Sequence, residues 1–437
     1  MSEHIDAENL AKSMAELDIH DYGDVLQCMR CGMCLPTCPT YRTDGIETQS
    51  PRGRVAMIKA VINGILAPTE EFVQHMYHCL DCRNCQTVCP AGVKAGELVL
   101  EARHRIEQHT PQSFLKRFML ESAIRDQKKL SLYLAPLRLY QKIGLQGLVR
   151  KSHILGLLSS DLEFMESLLP DLPSRPLTDT IPEVIPALGK EKGRIGFFLG
   201  CAMNLVFADI SRDTIYVLTR AGYTVIAPKH QQCCGTPNIA EGERKTYREM
   251  AEHNIALFAP LEVEAIVCDC AACGMELKAY RETMSPVSRI AHAAESFSAK
   301  VRDISEFLVS AFGPETRFGA IPEKVCFHDP CHLRHGQKLV APQRTLLRRI
   351  PELVLSDIPD EGQCCGSAGI YNITHRERSM KILEAKVEAI ERTGAERVVT
   401  SNPGCHMQLR YAKDRGNKVW SLSHISQVLR LSLERGA

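Results

Sequence analysis

The sequence predicts a multidomain α+β fold: a helical, cysteine-bearing N-terminal domain followed by a pseudo-duplicated α/β region. Three observations carry this. Residues 28–39 and 79–90 repeat one cysteine spacing, with a helical apolar pattern between them. A proline-rich stretch then interrupts the chain. Beyond it, two segments of similar plan alternate strand and helix patterns, and each carries a Cys-Cys-Gly triplet.

With 437 residues the chain is long enough for two or three domains. Its 53 basic and 52 acidic residues leave a net charge of +1, which argues against a nucleic-acid partner. The N-terminus, "MSEHIDAENLAKSMAELDIHDYGD", lacks a basic region followed by an apolar run, and no stretch approaches a spanning length. A cytoplasmic protein is expected, at most peripheral on the inner face of the membrane through partners. In a reducing compartment nineteen cysteines serve metal binding or redox chemistry rather than disulfides.

The N-terminal runs read "CMRCGMCLPTCP" and "CLDCRNCQTVCP", each C-x2-C-x2-C-x3-C-P. This is the bacterial-type spacing for [4Fe–4S] clusters, in which the fourth cysteine of each run serves the other cluster. Three thiolates on a tight turn reach three corners of one cube, and the fourth points away. One cluster is therefore assigned to Cys28, Cys31, Cys34 and Cys89, its neighbour to Cys79, Cys82, Cys85 and Cys38. Structural zinc shares the C-x2-C element but does not require a fourth cysteine plus proline twice. Forty residues separate the runs, more than a small ferredoxin uses. In between, Val55, Ile58, Ile62 and Ile65 fall at helical spacing, and Thr69 is placed to cap a second helix. The domain, residues 1–110, is thus expected to be a helical ferredoxin holding two cubane clusters. Arg52 and Arg54 would favour reduced clusters, contact a partner, or simply line a solvated helix start.

After a helix expected near 97–108, residues 111–193 form the next unit, with helices expected near 111–128 and 130–150 and then an extended connector with five prolines between 170 and 186. The segment "LSLYLAPLRLYQKIGLQGLV" reads as an amphipathic core or docking helix, with a membrane-surface anchor as the alternative.

The first half spans 194–312. "RIGFFLGC" is a strand ending at Cys201, a helix covers about 207–221, and "YTVIAP" is a strand leading to Cys233-Cys234-Gly235. A helix over about 243–258 and the strand "AIVCDC" follow. The second half, 313–437, repeats the plan with "KVCFHDPC", "LVLSDIP", Cys364-Cys365-Gly366, a helix over about 376–393, and "RVVTSNPGC". Between the leading cysteine and the triplet lie 31 residues in one half and 32 in the other. Such units build parallel sheets whose ligands collect beyond the carboxyl ends of the strands, where these cysteines fall. Neighbouring cysteines suit a shared metal better than a mutual disulfide, since their Cα atoms lie only about 3.8 Å apart. Gly235 and Gly366 are expected to let the backbone approach the metal.

The spacing C-x31-CCG-x34-C-x2-C resembles the cysteine-rich (CCG) domain of heterodisulfide reductase catalytic subunits, where five cysteines hold a non-cubane [4Fe–4S] cluster. That resemblance assigns Cys201, Cys233, Cys234, Cys270 and Cys273 to such a centre, with zinc or an unloaded scaffold as alternatives. In the second half Asn402 stands where Cys270 stands in the first, leaving Cys331, Cys364, Cys365 and Cys405. Iron–sulfur, zinc and an empty scaffold all remain open there. Cys268 and Cys326 are left over as buried core residues. His328, His332, His406 and Asp269 flank the cysteines and are read as supporting or structural groups ahead of ligands.

Over nearly its whole length the chain resembles the iron–sulfur subunit of glycolate oxidase and related D-lactate or 2-hydroxy-acid dehydrogenase complexes. The likeness is sharpest in "CMRCGMCLPTCPTYRTDGIETQSPRGR", "CLDCRNCQTVCPAGV" and the paired triplets. It implies a separate FAD subunit that oxidises the hydroxy acid, with this chain relaying electrons to a quinone or other respiratory acceptor. The sequence has no G-x-G-x-x-G and no P-loop, so neither FAD nor NAD is expected in this chain. The alternatives are a heterodisulfide-reductase-like catalytic subunit and the iron–sulfur subunit of anaerobic glycerol-3-phosphate dehydrogenase.

Overall fold

A computed structural model describes residues 6–16, 19–110, 113–284, 290–360, 362–416 and 418–436. Residues 111 and 112, at the start of one expected helix, lie outside these. The fold is the expected one: a helical N-terminal domain, then two α/β halves with one sheet each.

The N-terminal helices include Ala7–Ala15, Pro51–Ile62, Glu70–Tyr77 and Ala95–His109. Their apolar faces enclose Leu10, Val55, Ile58, Phe72, Leu98 and Ile106. Burying each such side chain stabilises by about 1.5–3 kcal/mol. Ser50 caps Pro51–Ile62 by accepting the Gly53 N–H at 3.0 Å, and Thr69 caps Glu70–Tyr77 by accepting that of Phe72. The stripe is one residue shorter than expected. Asn63 closes the helix and Gly64 turns left-handed at φ +67°, so Ile65 falls outside it and is exposed.

The two long helices expected over 111–128 and 130–150 are instead a string of short ones: Phe114–Phe118 with a π turn at Met119–Ala123, then Gln127–Tyr133, Ala135–Lys142 and Leu145–Ser152. Asp126 starts a new helix by accepting from the N–H groups of Lys128 and Lys129, Pro136 starts another, and Gly144 breaks the run at φ +75°. Most of their leucines beyond Leu120 are not core. Phe114, Leu132, Leu139 and Leu148 are exposed, which overturns the core reading of this segment. Among the described residues, no helix is long and apolar enough to cross a membrane. The proline-rich stretch is no free connector either. Leu177 is fully buried, and strand β1 (Val184–Ile185) pairs antiparallel with Val225 and Ile226.

Strands β2 (Gly193–Phe198), β3 (Tyr223–Ile226), β4 (Ala265–Cys268) and β5 (Val301–Asp303) complete the first sheet, in the order β1-β3-β2-β4-β5. The second contains β6 (Lys324–Phe327), β7 (Val354–Ser356), β8 (Arg397–Thr400) and β9 (Ser421–His424), in the order β7-β6-β8-β9. Apart from β1, every pairing is parallel, and the strands of one half occupy the places of their counterparts in the other. The edge strands β1, β5 and β9 escape sequence reading because they are two to four residues long and partly polar.

One core runs through both halves, joining Ile195 and Phe197 to Phe327, Val399 and Ile425. The carboxyl ends of the central strands meet there. Ala271 N–H donates to the Ser401 carbonyl at 3.0 Å, and His424 Nε2 lies 3.0 Å from the carbonyl oxygen of Asp269.

Candidate metal centres

Both N-terminal runs share one backbone device. Residues two and four places beyond the first cysteine are left-handed: Arg30 and Gly32 in one run, Asp81 and Arg83 in the other. Such conformations are costly for non-glycine residues and need support. In the second run Arg83 Nε pairs with Asp81 Oδ1 at 2.5 Å, and in the first the Arg52 guanidinium donates to the Arg30 carbonyl at 2.9 Å. In the second run these turns leave Cys79, Cys82 and Cys85 lining one cavity.

Cys38, Cys79, Cys82 and Cys85 line a single cavity, so the fourth cysteine of the first run joins three from the second. Arg54 lines it too. Its guanidinium is 1% exposed and donates to His75 O, Gln49 Oε1 and Thr40 Oγ1 at 2.8–3.1 Å, which overturns the solvated-patch reading for this residue. Arg52 does lie at the surface, paired with Glu47. Of the other set, Cys28 and Cys89 pack against the N-terminal core, Cys34 is half-buried and Cys31 is exposed. Burial pushes the Cys82 and Cys85 thiols well above the usual range, with neighbouring cysteines adding to the shift. A buried sulfur set that resists ionisation alone becomes stable once a metal neutralises it. Sulfur donors in a dry pocket suit iron–sulfur or zinc and not magnesium or calcium.

In the first half five sulfurs converge. Cys201 Sγ lies 3.6 Å from Cys233 Sγ, and Cys234 Sγ lies 3.3 Å from Cys273 Sγ. Cys270 Sγ caps the helix Ala271–Thr283 by accepting the Cys273 N–H at 3.4 Å. Asn254 and Tyr280 hold the Cys233 and Cys234 carbonyls at 3.1 and 2.9 Å. The glycine behind each pair is also fixed by packing. Gly235 sits at φ +88°, where a Cβ would meet the Tyr247 ring at 2.4 Å; Gly366 sits at φ +87°, where it would meet the Ser379 carbonyl at 2.7 Å. Both allow a left-handed turn pressed against a following helix, and the Gly366 N–H donates to Cys364 Sγ at 3.4 Å.

In the second half Cys331 contacts Cys364, and Cys365 contacts both Cys364 and Cys405. Asn402 occupies the helix-capping place of Cys270 but makes no cap. Its side chain crosses to the first half instead: Oδ1 accepts from Ala272 N–H at 3.2 Å and lies 3.7 Å from Cys270 Sγ, while Nδ2 donates to Cys405 Sγ at 3.5 Å. The amide orientation follows from the Ala272 donor. One carboxamide thus touches a cysteine of each half. Cys82 joins Cys331, Cys364 and Tyr371 in one apolar cluster, which puts an N-terminal cysteine against the second half. Sequence reasoning missed both junctions, because nothing in the spacing registers contacts between distant segments.

The flanking groups separate cleanly. His332 reaches across to within 3.1 Å of the Asp81 carbonyl oxygen, and His406 packs edge-on to Phe207. Asp269 is buried, accepts from Ser211 and Thr214 hydroxyls at 2.7 and 3.1 Å, and is raised to about 6 by burial. Cys268 and Cys326 are fully buried, and burial raises both thiols to about 11. His328 alone among the three histidines lies against second-half thiols.

Known proteins share this organisation. Residues 24–93 match the 4Fe-4S dicluster domain, residues 195–278 and 325–410 the cysteine-rich domain, and residues 111–169 the linker region of the glycolate oxidase iron-sulfur subunit. The probable glycolate oxidase iron-sulfur subunit of Bacillus subtilis is 39% identical over 401 residues, covering 90% of each chain. The glycolate oxidase iron-sulfur subunit of Escherichia coli is 30% identical over 403 residues, covering 90% of this chain and 91% of its own. Lactate utilization protein A of Shouchella clausii is 27% identical over 54% of this chain and 98% of its own. A crystal structure of a hypothetical protein from Helicobacter pylori shares the fold, with a TM-score of 0.54 over 98% of this chain and 75% of its own at 10% identity. A dicluster domain, a matching linker and two cysteine-rich halves in one continuous alignment make this chain a member of the glycolate oxidase iron–sulfur subunit family.

Proposed function

We propose that this chain is the electron-transfer subunit of a flavin-dependent 2-hydroxy-acid dehydrogenase complex, carrying electrons from an FAD-containing partner that oxidises glycolate or D-lactate toward a quinone or other respiratory acceptor. Bound iron–sulfur clusters supply one-electron acceptor sites, and a flavin is the group able to split a two-electron oxidation into single steps. Cys28, Cys31, Cys34 and Cys89 would hold one cubane, and Cys38, Cys79, Cys82 and Cys85 the other. Cys201, Cys233, Cys234, Cys270 and Cys273 would hold the first-half cluster. Cys331, Cys364, Cys365 and Cys405 would contribute to a second-half centre.

The observation that carries the reading is the continuity of the sulfur sites. Cys82 abuts Cys331 and Cys364, and Asn402 spans from Cys405 to Cys270. No site stands alone in the interior, as a merely structural metal would. These contacts favour the order N-terminal pair, second half, first half, and delivery to a quinone would bring the complex to the inner membrane face. The test is anaerobic: the full chain is mixed with its flavoprotein partner, and glycolate or D-lactate is added. Appearance of reduced-cluster EPR signals is expected; clusters that stay oxidised while the flavin is reduced would overturn the reading.

A further inference from the structure

We propose that His328 is a metal donor of the second half, supplying through its imidazole the fifth ligand that Asn402 cannot. The proposal rests on the iron–sulfur reading of that half. His328 is 0% exposed, and neither Nδ1 nor Nε2 has a hydrogen-bond partner. A ligand nitrogen of His328 and the sulfurs of Cys365 and Cys405 all lie within 4.8 Å of one another.

A buried histidine is ordinarily a satisfied core residue, and three others here behave so. His424 lies against the Asp269 carbonyl, His335 against that of Gly362 and His332 against that of Asp81, all at 3.0–3.1 Å. His328 has no such neighbour. Two unpaired ring nitrogens in a dry interior are expensive unless a partner absent from the protein chain satisfies them. Two thiols within reach identify that partner as a soft or borderline cation.

Comparison of the halves gives an independent reason. Counting back three residues from Cys201 and Cys331 places His328 at the position of Phe198. Phe198 is apolar, fully buried and packed on Phe258, as a core residue should be. The halves therefore differ by a reciprocal exchange: thiol plus phenyl in the first, amide plus imidazole in the second. Each keeps five donors. Imidazole is an accepted substitute for thiolate on iron–sulfur clusters and raises their potential.

The test uses the full chain, loaded anaerobically and labelled with 15N-histidine. Pulsed EPR of the paramagnetic state should show a strong histidine-nitrogen coupling that changes isotope with the label. His328→Phe, which copies the first half, should abolish that coupling while the N-terminal cluster signals persist. His328→Cys should retain the iron and lose the nitrogen. A chain that holds iron in its second half without histidine coupling overturns the proposal, as does a coupling that survives in His328→Phe. Should the second half take up zinc, its X-ray absorption decides: a mixed sulfur–nitrogen shell that becomes sulfur-only in His328→Cys supports the assignment, and a sulfur-only shell in the unaltered chain overturns it. An N-terminal domain that takes up no iron would sink the electron-transfer reading, yet leave this spectrum readable.

Discussion

The two C-terminal halves share four parallel strands in the same order and a helix after each central strand, yet they treat the ends of those strands differently. The first gathers five thiols, with Cys270 capping a helix. The second keeps four and turns Asn402 outward to its neighbour. Parallel β-α units provide positions for ligands without dictating which side chain fills them. The duplicated scaffold therefore preserves geometry while its two copies carry different donor sets. The difference also makes them interdependent, since the residue lost as a ligand in one half became a contact to the other.

Several substitutions would break or sharpen this comparison. The largest effect is expected from removing the leading thiol of each half. Cys201→Ser and Cys331→Ser should each lower iron by about four atoms per chain, read by metal analysis of anaerobic protein. Equal losses would mean that each half carries a four-iron cluster; iron unchanged in one would mean that half carries none. Next come the triplet glycines. Gly366→Ala forces a Cβ against a backbone carbonyl, and Gly235→Ala forces one against an aromatic ring whose hydroxyl is held by Glu276 at 2.6 Å. With the left-handed strain added, each should cost about 2–4 kcal/mol, seen as a lower unfolding midpoint.

Asn402→Ala comes third. It removes the acceptor from Ala272 N–H and the donor to Cys405, at a cost of about 1–3 kcal/mol. Its diagnostic consequence is spectroscopic: EPR signals of both halves should shift together, and a change confined to the second would show that the bridge is not shared. The smallest effect concerns how the N-terminal domain seats on the second half. Arg378 pairs with Asp44 at 2.6 Å, both partly buried. Arg378→Ala should cost no more than about 1 kcal/mol, with faster hydrogen exchange in the helix Pro39–Asp44. Protection unchanged there would assign the docking strength to the first-half contacts, such as Arg103 with the Ala240 carbonyl at 2.7 Å.

Sequence reasoning went furthest where spacing itself is the chemistry. The C-x2-C-x2-C-x3-C-P runs announced an interleaved pair, and the cavity lined by Cys38 with Cys79, Cys82 and Cys85 has that composition. Central strands were readable because they are continuous apolar runs ending at cysteines. It went less far where local pattern and tertiary demand part company. Leu139 and Leu148 look like core at helical spacing, but short helices broken at Pro136 and Gly144 leave them facing outward. Arg54 looks like a surface charge, but carbonyl and side-chain oxygens wait for it in the interior. Gly235 and Gly366 were rightly singled out, but the Tyr247 ring and the Ser379 carbonyl that press on them were not foreseen.

Length, hydrophobic periodicity and cysteine spacing determined the domain order, the duplicated sheets and the thiols that face one another within each segment, because those properties depend on near neighbours along the chain. Only the packed structure decided that Cys82 meets the second half, that Asn402 joins the halves and that His328 is buried among thiols without a partner. The first two contacts link residues more than a hundred positions apart, and His328 lies 37 and 77 positions from Cys365 and Cys405. They arise from the way apolar faces close on one another, and a linear pattern carries no record of which distant side chains that closure will bring together.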